Sequence, residues 1–387
     1  GCIALETINF PTSLKEIPYR MLSNCDSLTE IIIPEGIESI GNMAFENCDK
    51  LKKISISSTV NSIGNSVFIE LRLLEEIEIS EKNTSYKIEK SSLMSFDGKK
   101  LFYMLQGDSN IINIPESVES IESGFFESLK SNSIINIGKN VKDIGTTETT
   151  SNIQSINVSE EKPNLASIDG NLYNKDLTTL IIYCSKKNVV NLPNTVKNIG
   201  NNAFRGNVSV QQVTLHEGIE SIGTYAFGRT SVTELYLPNS LKNISTYMFA
   251  DGDFKVSTSE DNPNYTIVDE TYILSKDKKT LVAVTKDLVN YNIPNTVETI
   301  GDNAFYAKYK YTEIILPSSL KTIEINAFDK STKLQKIEIP SSIESIATSA
   351  FSRCNSLTQI VIDKKEGDIS GAPWGCPYGL RAIIWKG

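Results

Sequence analysis

The sequence predicts a β-rich repeat solenoid, and three observations predict it. An apolar anchor returns at a fixed interval: Leu22, Phe45 and Phe68 lie 23 apart, as do Phe305, Phe328 and Phe351, while Phe204, Phe227 and Phe249 are spaced 23 and 22. Five residues before each anchor sits an Ile, from Ile17, Ile40 and Ile63 to Ile300, Ile323 and Ile346. After the anchor comes a second signature, L-x-x-I-x-I, as in "LTEIIIP" at 28–34, "LKKISIS" at 51–57 and "LQKIEIP" at 334–340. Whole lines recur in this way: "IPEGIESIGNMAFENCDKLKKISI" begins at Ile33 and "LPNTVKNIGNNAFRGNVSVQQVTL" at Leu192.

Each element of the coil follows from its residues. The I-x-I alternation has period two, so it is a short strand with its Ile pair on one face. The Pro that often follows ends the strand and supplies a corner. The "I-x-x-I-G-x-x-A-F" half contains Gly and has irregular apolar spacing. It is expected to be a short turn or 3₁₀ piece on the opposite wall. A unit of this size cannot bury its own apolar face, so neighbouring coils must stack and share an Ile/Leu/Phe core. Phe126 with Ile121 marks a further copy. Ile144–Gly145 opens a degraded copy, with Thr149 where the Phe would stand. Periods of this length with L-x-x-I-x-I strands describe a leucine-rich-repeat array.

Three longer spacings interrupt the array, near 83–110, 160–190 and 260–290. They contain "NTSYKIEKSSLMSFDGKKLFYML", "PNLASIDGNLYNKDLTTLIIYC" and "PNYTIVDETYILSKDKKTLVAVT". Each has a strand-like stretch, a polar turn and an apolar strand, the pattern of a β-hairpin. They read as hairpin-bearing coils within a solenoid spanning 1–363. The ending "GDISGAPWGCPYGLRAIIWKG" breaks the repeat with Pro373, Gly375, Pro377 and Gly379. Residues 364–387 therefore read as a cap, with Trp374 and Trp385 as cap core.

Composition narrows the function classes. The 387 residues are 40% apolar and 22% charged, with a net charge of −9. An acidic chain without a basic stripe is a poor nucleic-acid binder. No stretch approaches the ~18 apolar residues of a membrane span, so no membrane insertion is expected in these residues. The given residues open at Gly1 without an initiator Met or a signal-sequence pattern, and the native N-terminus is expected to lie upstream.

The line "IPEGIESIGNMAFENCDKLKKI" resembles the BspA-like leucine-rich repeat of bacterial surface proteins, over roughly residues 1–363. The closing "PWG…IIW" is similar to the ending often seen after such arrays. The resemblance implies a right-handed solenoid with a curved sheet, secreted or displayed on the cell surface. Some members of that family bind host extracellular-matrix proteins or other cells and others have no assigned activity, so the partner expected here is a protein or glycan, host extracellular matrix included. The repeat specifies fold strongly and ligand hardly at all.

Cys2, Cys25 and Cys48 are each 23 apart, and each precedes the strand's first Leu by three residues, as Cys354 precedes Leu357. They share one rung position, where Asn207, Thr230 and Gly252 stand in other coils. Cys2 thus reads as a repeat residue and not as a lipid-anchored terminus, and the array is expected to begin upstream of Gly1. Free thiols are expected, because stacked rung side chains point in parallel. No Cys or Cys/His spacing suits a metal, and no cofactor is implied.

Nothing points to catalysis. His216 is the only histidine and follows the strand "VQQVTL" at a corner. No nucleophile elbow is present. Asp97–Gly98 and Asp169–Gly170 read as turn chemistry, and no Asp-rich calcium loop occurs. What remains is surface. The middle x of L-x-x-I-x-I points onto the open face of the sheet. Coil by coil it is Asn9, Ile32, Ser55, Glu78, Asn113, Asn136, Asn157, Asn191, Thr214, Tyr236, Ser257, Asn292, Ile315, Glu338 and Val361. Asn in four successive coils, Asn113, Asn136, Asn157 and Asn191, is unusual because strands disfavour Asn. Two explanations stand: stacked amides bonding to one another, or a polar track for an extended ligand. Tyr306, Tyr309 and Tyr311 in "FYAKYKYTEI", beside Lys308 and Lys310, form a second candidate patch. The expectation is a non-enzymatic binding or adhesion module. The alternative is a structural spacer that displays another part of a longer polypeptide.

Overall fold

The computed structural model describes residues 1–161, 164–250, 252–376 and 379–387. Pro163 of the second insert and Pro377 of the ending lie outside them. The chain folds as two compact units, Gly1–Lys186 and Lys187–Gly387. Both are β-solenoids.

In the first unit, strands Glu30–Ile33, Lys53–Ile56 and Glu76–Ile79 form one parallel sheet. Ile111–Asn113, Ser133–Ile137 and Ile153–Val158 form another. In the second unit the same wall consists of Val189–Asn191 with Gln212–Thr214, Glu234–Leu237 with Lys255–Thr258, and a four-stranded sheet ending in Ala382–Trp385. Residues one coil apart pair directly, as Ile31↔Ile54 and Ile54↔Ile77 do. Strands such as Glu30–Ile33, Lys53–Ile56, Glu234–Leu237 and Lys336–Ile339 alternate buried and more exposed side chains, as period two requires, whereas in Gln359–Ile362 the outward Val361 is also buried, beside the cap strand.

The opposite wall differs from the expected turn or 3₁₀ piece. It is a second set of parallel strands only two residues long, such as Glu16–Ile17, Ser39–Ile40 and Ser62–Ile63. Among the described residues 3₁₀ helix occurs at Phe126–Ser128 and Thr246–Phe249. Extended backbone wins because the rung Ile of one coil hydrogen-bonds to the next, a partner that a local helical turn would forgo. The following corner places the residues two before and two after the anchor Phe in the left-handed region, as at Met43 and Asn47, Asn303 and Ala307, or Asn326 and Lys330. Asn tolerates that region, which explains its recurrence there.

The inserts are three-stranded meanders and not single hairpins. Tyr86–Glu89, Ser92–Ser95 and Lys100–Met104 pair antiparallel in order. Tyr265–Val268, Tyr272–Ser275 and Thr280–Val284 do the same. The first tight turn has two left-handed residues, Lys90–Ser91 and Asp269–Glu270. The last strand re-enters the stack: Leu101 pairs with Ile121, and Leu281 with Ile300, each in the rung Ile position.

The core is a ladder of like side chains. Phe305, Phe328 and Phe351 stack at 5.0 and 5.5 Å with rings 17° and 15° from parallel. Phe204 and Phe227 stack at 5.1 Å. All five are fully buried. The cap joins this core: Trp374 is buried, and Trp385 packs 6.4 Å from it at the end of a strand paired with Gln359–Ile362.

The rung position of the cysteines supplies a donor. Cys48 Sγ donates to the Leu22 carbonyl and Cys354 Sγ to that of Phe328, both at 3.1 Å. Ser331 Oγ does so to Phe305 and Lys308 Nζ to Phe249. All six cysteines are free, and burial pushes the Cys48 thiol up to about 11. The degraded coil is held differently. Buried Glu127 accepts from the backbone N–H of Glu148 and, at 3.1 Å, of Thr149. Its Oε2 has no hydrogen-bond partner, and burial raises its pKa to about 7.

Two outcomes follow from this architecture. Phe227→Asp buries a charge in the ladder and should cost at least ~4 kcal/mol, read as a collapse of cooperative melting. Unchanged melting would refute the coil register. Glu127 has a raised folded pKa, so its contribution is complete below the ordinary carboxyl range and fades as pH rises through about 7. The amount is roughly 3 kcal/mol. Glu127→Gln should therefore gain melting temperature relative to the native chain between about pH 5 and about pH 8. A constant difference across that range would contradict the burial of an ionisable carboxyl.

Candidate ligand-binding face

The middle x residues lie side by side where the period-two reading put them. Ile32 pairs with Ser55 and Ser55 with Glu78. Asn191 pairs with Thr214, Tyr236 with Ser257, Ile315 with Glu338, and Glu338 with Val361. Their side chains point onto the open face, where concavities lie over the strands. In the first unit these are lined by Ser55, Ser57 and Glu78, and by Asn113, Asn136 and Asn157. In the second unit they are lined by Thr214, Tyr236 and Ser257, and by Ile315, Glu338 and Val361.

The amides of the first unit bond to one another. Asn136 Nδ2 donates to Asn113 Oδ1 at 2.8 Å, and Asn157 Nδ2 to Asn136 Oδ1 at 2.9 Å. An Asn side chain carries two N–H groups and a carbonyl with two lone pairs, so each amide keeps capacity toward the open side. The run pairs as three residues. Asn191 belongs to the second unit, where it is exposed beside Thr214. The second insert turns in directly after Asn157. Ile156 N donates to Gly170 O at 2.8 Å and Val158 N to Ser167 Oγ at 3.1 Å, so the tight turn covers the outer edge of that sheet. A side chain at Gly170 would meet Ser155 Cβ at 2.8 Å, so only Gly permits the approach. In the second unit Val256 N donates to Glu270 O at 3.4 Å, placing another insert turn at the edge of the Lys255–Thr258 strand.

The tyrosine patch is largely core. Tyr311 is fully buried and its hydroxyl donates to Ser331 Oγ at 2.7 Å. It occupies the first apolar rung of "YTEIIL", equivalent to Leu28 in "LTEIII". Tyr306 is also buried. Its hydroxyl lies 2.8 Å from that of Tyr225, its ring packs edge-on to Tyr247 at 4.4 Å, and the Lys330 ammonium sits over its ring. Tyr309 alone of the three is exposed, at 41%. In the outward row of the sheet the exposed tyrosine is Tyr236, at 51%.

Several residues of the face were missed from sequence, among them Gln212, Glu234 and Lys255 of the neighbouring strand row. Ile384 extends the row, because Val361 pairs with Ile384 of the cap strand, and "LRAIIW" matches L-x-x-I-x-I once the break before it is bridged. Glu270 reaches the face through the meander's first turn. The most exposed large apolar side chain of the row is Ile315, at 84%.

Where the carboxylates of this face shift, they shift down. A Lys53 ammonium at 2.8 Å and the Ser55 hydroxyl hold Glu78 below the usual range. Lys336 at 2.6 Å does the same for Glu338. Such groups stay ionised near neutrality and suit hydrogen-bond acceptance more than proton donation. Glu324 is raised by burial, and its Oε2 accepts from the Asp302 N–H at 3.2 Å away from this face. His216 sits at its corner with Nε2 3.1 Å from the Pro193 carbonyl and Nδ1 3.1 Å from that of Glu217. No helix among the described residues is long and apolar enough to cross a membrane.

No curated protein matches the chain. Solved structures of similar fold include a leucine-rich repeat protein from Eubacterium ventriosum, 23% identical over 90% of this chain and 87% of that one, with a TM-score of 0.47. The pneumococcal vaccine antigen PcpA is 20% identical over 97% of this chain and 74% of that one, with a TM-score of 0.33. A leucine rich cell surface protein from Faecalibacterium prausnitzii is 20% identical over 92% and 84%, with a TM-score of 0.32. The repeat region itself matches the family model described as "BspA type Leucine rich repeat region (6 copies)" over residues 1–95, 95–189, 180–264 and 282–372. With that much of its length matched, the chain belongs to the BspA-type leucine-rich repeat family.

Proposed function

We propose that the chain is a non-enzymatic binding module of a bacterial surface or secreted protein, recognising a protein or a glycan through its open sheet face. The observation that carries this reading is the make-up of that face. Outward side chains of adjacent strands form shallow grooves, and these present an exposed Tyr236, an exposed Ile315 and the amides of Asn113, Asn136 and Asn157. Exposed large apolar and aromatic side chains in a concavity are what recognition surfaces use. The insert turns divide the face, so recognition is by separate grooves and not by one track.

The spacer is the second reading, and the amide ladder favours it. Three Asn residues spent on one another serve the stack itself. Lys–Glu–Lys ladders between coils serve it likewise: Lys99 and Lys142 flank Glu119 at 2.9 and 2.7 Å and hold it down at about 2.

The two readings part on one experiment. The chain is probed against an array of extracellular-matrix proteins and glycans, beside a variant with Asn113, Asn136, Asn157 and Asn191 changed to Asp and a second variant carrying Ile315→Asp. A binding face should lose at least about tenfold in affinity, or ~1.4 kcal/mol, in one of the variants while melting holds. Capture that survives both would shift the site to Tyr236 or to exposed Tyr309. No capture by any of the three proteins would leave the spacer.

A further inference from the structure

The Lys187–Gly387 unit carries on its open face a groove of about 680 Å³, and its lining is chemically mixed. Two rows of side chains form the floor, because each strand presents alternate residues. One row is Gln212, Glu234 and Lys255, and the other is Thr214, Tyr236 and Ser257. The Tyr236 ring is half exposed in the middle of this grid. The turn of the third insert stands at one side. There the Glu270 carboxylate pairs with the Lys255 ammonium at 3.2 Å and neutralises it.

This inventory separates ligand classes. A phosphate- or sulfate-bearing ligand needs unpaired cations. The lining cation is Lys255, already paired, and Glu234 adds a negative charge. A peptide added as an extra strand needs a free backbone edge. The edge of Lys255–Thr258 facing the insert is occupied by the Glu270 turn, where Val256 N donates to Glu270 O. A pyranose ring needs neither. Its C–H face is apolar and lies flat on an aromatic ring. Its hydroxyls radiate outward, each able to donate and accept. Adjacent strands are ~4.8 Å apart, so the amide, hydroxyl and carboxylate side chains of neighbouring strands surround the ring at the reach of those hydroxyls.

We propose that this groove binds a neutral glycan chain, with Tyr236 as the stacking platform and Gln212, Thr214, Glu234 and Ser257 as hydrogen-bonding partners of the sugar hydroxyls. The assignment rests on the reading of the open face as a binding surface and names the ligand class of one part of it. The Lys255–Glu270 pair lines one side of the groove.

The test is calorimetric titration of the chain with four soluble probes: cellohexaose, xylohexaose, mannohexaose and hexa-N-acetylchitohexaose. It is repeated with Tyr236→Ala, with Tyr236→Phe, and with Ile325→Asp, exposed at a corner after the Thr322–Ile323 strand, as a control outside the groove. At least one probe should bind with Kd below about 1 mM. Tyr236→Ala should weaken it at least about tenfold, while Tyr236→Phe and Ile325→Asp stay within about threefold. Tyr236 is exposed, so melting temperatures should coincide and a folding defect would be visible. Failure of all four probes, or equal binding by Tyr236→Ala, overturns the assignment. If the sugars fail but Tyr236→Ala abolishes capture of a matrix protein, the glycan is wrong and the binding face stands. If neither sugars nor proteins bind, both readings fall.

Discussion

Everything in each unit depends on placing one coil's side chain directly above its counterpart in the next. Parallel strands fix the separation at ~4.8 Å, which is also a good distance for one aromatic ring over another. The Phe ladder at 5.0 to 5.5 Å is that coincidence in practice. It explains why the coil length is held so closely. A change of one residue on the strand side would turn every inward Ile outward. Variation is instead admitted at corners and in inserts, where no rung is displaced. The inserts obey the same condition, since each described meander hands Leu101 or Leu281 back to the rung position.

Properties set by residues close in sequence were legible. The period-two strand fixed which side chains face outward, and the observed pairing reproduces that row through Val361. The rung cysteines and both cap tryptophans were readable for the same reason. Other features depend on partners distant in the chain. The two-residue strands of the second wall have no period of their own, and only the next coil's backbone makes them strands. The first turn of the second meander, Asp169–Gly170, was legible as a turn, but those of the first and third escaped notice because Lys90–Ser91 and Asp269–Glu270 lack the Asn-Gly signature, although all four residues adopt its left-handed conformation. Tyr306 and Tyr311 were read as a cluster by composition. Aligning "YTEIIL" on "LTEIII" would have placed Tyr311 in the core, so that signal was present and unused. Burial of Tyr306 rests on Tyr225 and Tyr247, which no local pattern connects to it.

The binding reading rests on a division of labour within the coil. Inward residues are nearly invariant in kind, while the outward row runs through Ser, Glu, Asn, Thr, Tyr and Ile. A scaffold in which half the strand positions carry no packing duty can change its surface without changing its shape. The turns over the sheet edges at Gly170 and Glu270 add a second effect. They satisfy backbone groups that would otherwise invite another strand.

The buried donor at the cysteine rung bears on how such a chain finds its threading. Repeated lines are interchangeable, so a growing stack can skip a coil and still satisfy most of its apolar contacts. Lys308 is an exception to interchangeability. It is almost wholly buried, and its ammonium reaches the Phe249 carbonyl from the far side of the third insert, where a Cys or Ser serves between adjacent coils. In a mis-threaded stack that ammonium would lie in the core without its carbonyl, a heavy penalty where other rungs would incur almost none. A costly residue at a rung where its counterparts are forgiving thus acts as a proofreading mark that favours the correct alignment.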